Sequence, residues 1–136
     1  MTVELLYLTI YAFVIIATTL VQQLTSIGNV GLRSIFGSRE NVHFTGAAAR
    51  LERAVVNSVV AMSLFAPAVL ILNLLQVSTK QTIIAVQAFV IARIFYSISY
   101  GLNIPGLRSL CWTIGFICIL FLYFSSIFPP VLQPDQ

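Results

Sequence analysis

The stretch LRSLCWTIGFICILFLYFSSIF, residues 107–128, holds a single formal charge, Arg108, and is otherwise aliphatic, aromatic, small or hydroxyl-bearing. A helix needs about 20 predominantly apolar residues to cross a hydrocarbon core of roughly 30 Å, and this stretch is long enough. Working outward from it, the same pattern recurs at about residues 5–27, 51–77 and 82–101. Four spans take up most of a 136-residue chain that is 59% hydrophobic and 8% charged, with a mean hydropathy of +0.99. That composition leaves too little polar surface for a water-soluble domain. The sequence predicts an all-α fold, an integral membrane four-helix up-down bundle. It forms one domain over residues 1–136, with one polar connection at about residues 28–49.

Charge is distributed unevenly between the two ends of such a bundle. Arg33, Arg39, Arg50, Arg53, Arg93 and Arg108 fall towards one end, with Glu40 and Glu52, whereas the other end has Lys80 with Glu4 and Asp135. The positive-inside rule then places the arginine-rich end in the cytoplasm and both termini outside. The net charge of +3 is a consequence of topology, and no nucleic-acid partner is expected. Glu4 stands where a cleavable signal peptide carries positive charge, and the apolar stretch after it is too long for a signal core. The first span is expected to be permanent.

Several residues have a plain structural reading. Thr18, Gln22 and Thr25 are spaced to share one helical face and are expected to look into the bundle. Pro67 removes a helical hydrogen bond inside the second span and is expected to bend it. Asn103-Ile104-Pro105-Gly106 predicts a sharp reversal, and Pro129, Pro130 and Pro134 end the last span. His43 has no Cys, Asp or Glu at ligand spacing, so it reads as an exposed loop histidine and no metal site is expected. Cys111 and Cys118 lie roughly 10 Å apart along one helix, beyond disulfide reach, and read as packing residues.

A polar constellation remains. Arg50, Arg53 and Asn57 occupy i, i+3 and i+7 of the second span, and Arg93, Tyr96 and Tyr100 repeat that spacing on the third. Arg108 and Ser109 open the fourth helix, where free backbone N–H groups and the dipole favour an anion. Arginines at headgroup level also reach lipid phosphates, a reading that applies to Arg50, Arg53 and Arg108. Arg93 lies deeper, about 12 Å from the end of its span. An ionised group there needs a partner or a ligand: either it pairs, with Glu52 as the nearest acid, or it holds a ligand carboxylate.

These residues carry a family resemblance. Arg50-Leu51-Glu52-Arg53-Ala54-Val55-Val56-Asn57, followed by Leu64-Phe65-Ala66-Pro67, resembles the R-x-x-R-A-x-x-N-x-x-E…F-A-P pattern of the MAPEG family, the membrane-associated proteins in eicosanoid and glutathione metabolism. Ala92-Arg93-Ile94-Phe95-Tyr96-Ser97-Ile98-Ser99-Tyr100, then Ile104-Pro105-Gly106-Leu107-Arg108-Ser109-Leu110, is similar to its A-R-x-x-[HY]-x-x-x-Y…P-x-x-R-[ST] signature. The resemblance covers essentially the whole chain and is nearest to the short bacterial members, which implies a bacterial inner membrane. It also implies a homotrimer, with glutathione bound between subunits near the cytoplasmic surface. Arg53, Asn57, Arg93, Tyr96 and Tyr100 would hold the tripeptide, and Arg108 or Ser109 would activate its thiol. One position departs: the family's glutamate three residues after the asparagine is Val60 here, so the ammonium of glutathione lacks that acid.

Two functions follow as expectations. The first is a glutathione-dependent transferase or peroxidase acting on lipophilic substrates. The alternative is a non-catalytic membrane scaffold, a lipid-binding protein or an accessory subunit of a larger membrane complex. A proton-coupled multidrug transporter fits poorly, because none of Glu4, Glu40, Glu52 or Asp135 is placed mid-membrane by the sequence.

Overall fold

The computed structural model describes residues 1–31 and 43–129; Arg33, Arg39, Glu40, Pro130, Pro134 and Asp135 lie outside the described residues. Four helices follow one another: α1 (Val3–Val30), α2 (Gly46–Leu74), α3 (Lys80–Gly101) and α4 (Pro105–Ile127). All four are long and apolar enough to cross a membrane, and there is no strand among the described residues. The expected all-α membrane bundle is therefore the architecture the chain adopts. α1 and α2 run antiparallel, as do α3 and α4, and these two pairs make the most extensive contacts; α1 does not touch α4.

The helices extend beyond the expected spans at the arginine-rich end. α1 continues to Val30, where Gly31 (φ 80°) caps it by donating from its N–H to the Ile27 carbonyl. α2 starts at Gly46 and runs at once through Ala47-Ala48-Ala49, the best helix former three times over. Arg50 and Arg53 therefore lie a full turn or more inside α2.

Tight connections explain why neighbouring helices are antiparallel. After α2, Gln76 takes φ 56°, its N–H donates to the Asn73 carbonyl and that of Val77 donates to Leu72. After α3, Asn103 takes φ 60°, with Asn103 N–H to the Tyr100 carbonyl and Ile104 N–H to Ser99. Both are Schellman closures, which normally place glycine at the left-handed residue. Asparagine tolerates that conformation, whereas glutamine is strained in it. α3 then opens with a capping box, Thr79 and Thr82 each bonding the other's backbone N–H.

The core lies in the half of the bundle away from the arginines. Phe65 of α2 stacks on Phe89 of α3 with ring centroids 3.9 Å apart, and Tyr11 of α1 meets both edge-on at 5.9 and 4.9 Å. The buried Tyr11 hydroxyl donates to the Ser58 carbonyl at 3.0 Å. α2 stays helical through Pro67, and the Tyr123 hydroxyl of α4 donates to the Leu64 carbonyl at 2.9 Å, one turn before the proline. The carbonyl that loses its helical donor to Pro67 is the adjacent one, that of Ser63.

The polar face of α1 differs from expectation by one position. Thr18, Gln22 and Ser26 are buried, and Thr25 is only half-buried. The stripe follows i, i+4, i+8 because Ser26 satisfies itself inside the helix. Its hydroxyl donates to the Gln22 carbonyl at 2.8 Å and receives the Gln22 amide at 3.0 Å. Thr18 likewise bonds the Val14 carbonyl. These groups fold back on their own helix and do not bridge to another.

Candidate functional site at the arginine-rich end

α3 sets out the site. Phe89, Arg93, Tyr96 and Tyr100 recur at i, i+4, i+7 and i+11 on its buried face. The Arg93 guanidinium lies 5.4 Å from the Phe89 ring centroid and 5.3 Å from that of Tyr96. Tyr96 meets Tyr100 edge-on at 5.2 Å, and the Arg108 guanidinium of α4 closes the series 4.8 Å over the Tyr100 ring. The result is a ladder of three rings and two guanidinium groups climbing from the core to the surface. Ring faces attract guanidinium groups, typically by about 2 kcal/mol when desolvated, which makes an arginine tolerable inside an apolar bundle.

Rings do not satisfy N–H groups, however. Arg93 is 3% exposed, and its Nε and Nη1 have no hydrogen-bond partner. The Arg93–Glu52 pair considered from the sequence does not form, since Glu52 is exposed on α2 while Arg93 is enclosed. Space for the guanidinium comes from Gly115 of α4, where a Cβ would sit 3.2 Å from Arg93 Nε and 3.5 Å from Nη2.

Beside this ladder a cleft of about 270 Å³ opens between α2, α3 and α4, lined by Asn57, Tyr96, Arg108, Ser109, Trp112 and Thr113. The Asn57 amide donates to the Arg53 carbonyl at 3.0 Å, which leaves its own carbonyl oxygen free. Ser109 and Thr113 donate to the Pro105 and Ser109 carbonyls one turn back. Both hydroxyl oxygens remain available as acceptors. No side chain caps α4, and Pro105 occupies its first turn. The N–H groups of Gly106 and Leu107 therefore lack intrahelical partners beside the cleft.

The structure thus brings Asn57, Tyr96, Arg108 and Ser109 to one cleft, with Arg93 one turn deeper on α3 and Tyr100 one turn nearer the surface. Arg53 is exposed on α2 and does not line it, and Arg50 turns away to donate from Nη2 to the Gly101 carbonyl at 3.4 Å. The expected Arg50–Arg53–Asn57 stripe therefore divides, one arginine tying α2 to the end of α3 and the other facing outward. Trp112 and Thr113 were missed by the sequence reading. They follow Arg108 and Ser109 at i+4, so the helical period that grouped the α3 residues would have found them. Gly115 was missed as well, because nothing in sequence announces a glycine that makes room for a distant arginine. His43 is exposed, and no cluster of metal-ligating side chains occurs among the described residues.

Comparison of the chain with curated proteins and with solved structures gives no match. The MAPEG family profile matches residues 2–128, which takes in all four helices and both sequence blocks that outline the cleft. A match over nearly the whole length settles the relationship, and the chain belongs to the MAPEG family.

Proposed function

We propose that the protein is a glutathione-dependent membrane enzyme, a transferase or peroxidase whose second substrate is lipophilic and enters from the bilayer. The observation that carries this reading is the cleft itself. It gathers Arg108, Asn57, Ser109 and the uncapped start of α4 on a surface that is otherwise hydrocarbon. Glutathione carries two carboxylates, and those donors suit them: Arg108 and the free α4 amides beside the cleft, with Arg93 adding positive potential from below. Bound there, glutathione would supply the nucleophilic sulfur. Arg108 lowers the cost of a thiolate beside it, because a cation within a few ångströms stabilises the charged form, and Ser109 is placed to orient the sulfur. The thiol proton leaves to water at the open mouth.

The reading extends to assembly and orientation. Beside the cleft, α2 exposes Val56, Val59, Val60 and Leu64 in one stripe. A second copy of the chain covering it would wall the cleft, as in a homotrimer with the site between subunits. The asymmetry of arginines supports a cytoplasmic cleft and outward termini, in a bacterial inner membrane.

Val60 favours a second reading. It is 54% exposed where a glutamate would meet the ammonium of glutathione. A buried ammonium left unpaired costs several kcal/mol, whereas an anion without an ammonium loses nothing. A lipid-binding scaffold or accessory subunit of a larger membrane complex would use the same arginines for that anion.

Isothermal titration of the detergent-solubilised protein with glutathione separates the two, run beside conjugation of chlorodinitrobenzene. The enzyme reading expects saturable binding and turnover, both reduced at least tenfold in Arg108→Ala. No binding at millimolar glutathione excludes it.

A further inference from the structure

A second depression, of about 310 Å³, lies between α3 and α4 in the opposite half of the bundle. It is lined by Gln81, Ile84, Ala85, Ala88, Ile117, Cys118 and Phe121. It differs from the arginine-rich cleft in every respect that matters for a ligand. No polar atom faces into it, and α2 contributes nothing to it. Its volume is at the low end of the roughly 300–1,000 Å³ of ligand pockets, enough for one hydrocarbon chain and too small for a bulky headgroup. On the α3 wall, Ala85 and Ala88 stand beside Gln81 and Ile84 and leave the hollow that larger residues would fill. In a membrane span this hollow opens onto lipid, and an empty space there forfeits dispersion contacts on one side.

Charge at the mouth identifies the occupant. Lys80, exposed at the first residue of α3, lies one turn before Ile84 and next to the lining residue Gln81, so it stands at the edge of the groove mouth. It is the one cationic side chain among the described residues at this end of the bundle. The nearby acid, Glu4, is 2% exposed and is partnered by the hydroxyls of Ser78 and Thr82, which leaves Lys80 without an acid at the surface. We infer that the α3–α4 groove is a specific site for one anionic phospholipid of the leaflet opposite the arginine-rich end. One acyl chain lies against Ala85, Ala88 and Cys118, and the headgroup phosphate rests at Lys80.

Cys118 gives a native probe inside the groove, since it is a half-buried free thiol. The full chain carrying Cys111→Ser, which leaves Cys118 as its sole cysteine, is placed in nanodiscs of phosphatidylglycerol or phosphatidylcholine and labelled with N-ethylmaleimide. Native mass spectrometry of the unmodified chain, released from detergent with the same lipids, counts those retained. The site predicts slower Cys118 labelling in phosphatidylglycerol and one retained phosphatidylglycerol per chain. Lys80→Ala removes the preference over phosphatidylcholine by about fivefold, the usual contribution of one lysine near an anionic surface. Ala88→Trp fills the groove and abolishes retention. Equal labelling in both lipids, or retention unchanged in Ala88→Trp, overturns the proposal. Cys118 protected in native membranes but not in phosphatidylglycerol nanodiscs also overturns it, because a protein helix would then be the occupant.

Discussion

Two charged side chains are buried among the described residues, one at each end of the bundle, and they are treated in opposite ways. Glu4 of α1 is 2% exposed and accepts hydrogen bonds from Ser78 Oγ at 2.9 and 3.1 Å and from Thr82 Oγ1 at 2.7 Å. Arg93 of α3 is 3% exposed, rests on two rings and leaves Nε and Nη1 unbonded. A buried group with all its bonds made is a fastener, here tying the start of α1 to the start of α3. A buried charge with donors unused weakens the fold, and such departures from local consistency belong at functional sites. The same chain thus spends its polar chemistry on stability at one end and keeps it in reserve at the other.

Substitutions that move stability and binding in different directions put this contrast at risk. Glu4→Ala carries the largest expected effect, about 2 kcal/mol of lost stability, because hydrogen bonds to a charged group are the strong ones. Thermal unfolding in detergent checks it, and Glu4→Gln should recover part of the loss. Arg93→Met should act the other way. Replacing a poorly satisfied buried charge with an apolar side chain of similar length typically stabilises by about 1–2 kcal/mol, and unfolding above the wild-type temperature is the expected result. Tyr11→Phe tests the core between the two ends. Its hydroxyl bonds the Ser58 carbonyl in a buried setting, so about 1 kcal/mol should be lost. The smallest effect is expected at Gln76→Gly, which relieves a left-handed residue at the α2–α3 turn and should stabilise by roughly 0.5 kcal/mol.

The sequence was most legible where hydrocarbon decides the outcome. Four apolar stretches became four helices, and the turn at Asn103 formed where Asn-Ile-Pro-Gly marks it. The helical period also placed Arg93, Tyr96 and Tyr100 on one face, where they form the ladder. What escaped the sequence depends on contacts between distant helices. Glu4 looked like a charge at the membrane surface and proved to be buried, because its hydroxyl partners lie more than 70 residues away. The second arginine stripe divided for the same reason. Spacing assigns Arg50 and Arg53 to one helical face, but only packing decides that Arg50 meets the end of α3 while Arg53 stays outside. Gly115, whose missing Cβ admits the Arg93 guanidinium, belongs to this class too.

The proposed function requires the arginine-rich end to bind the ligand while the Glu4 end only holds the fold. A ligand that binds the native state stabilises it by an amount that grows with the logarithm of ligand concentration over Kd, so at a fixed glutathione concentration the shift in Tm reports on the affinity of the site. Wild type and Glu4→Gln should show the same shift, despite their different starting stabilities, and Arg93→Met a much smaller one, although that variant starts more stable. A full shift in Arg93→Met, or its loss in Glu4→Gln, would contradict the proposed function.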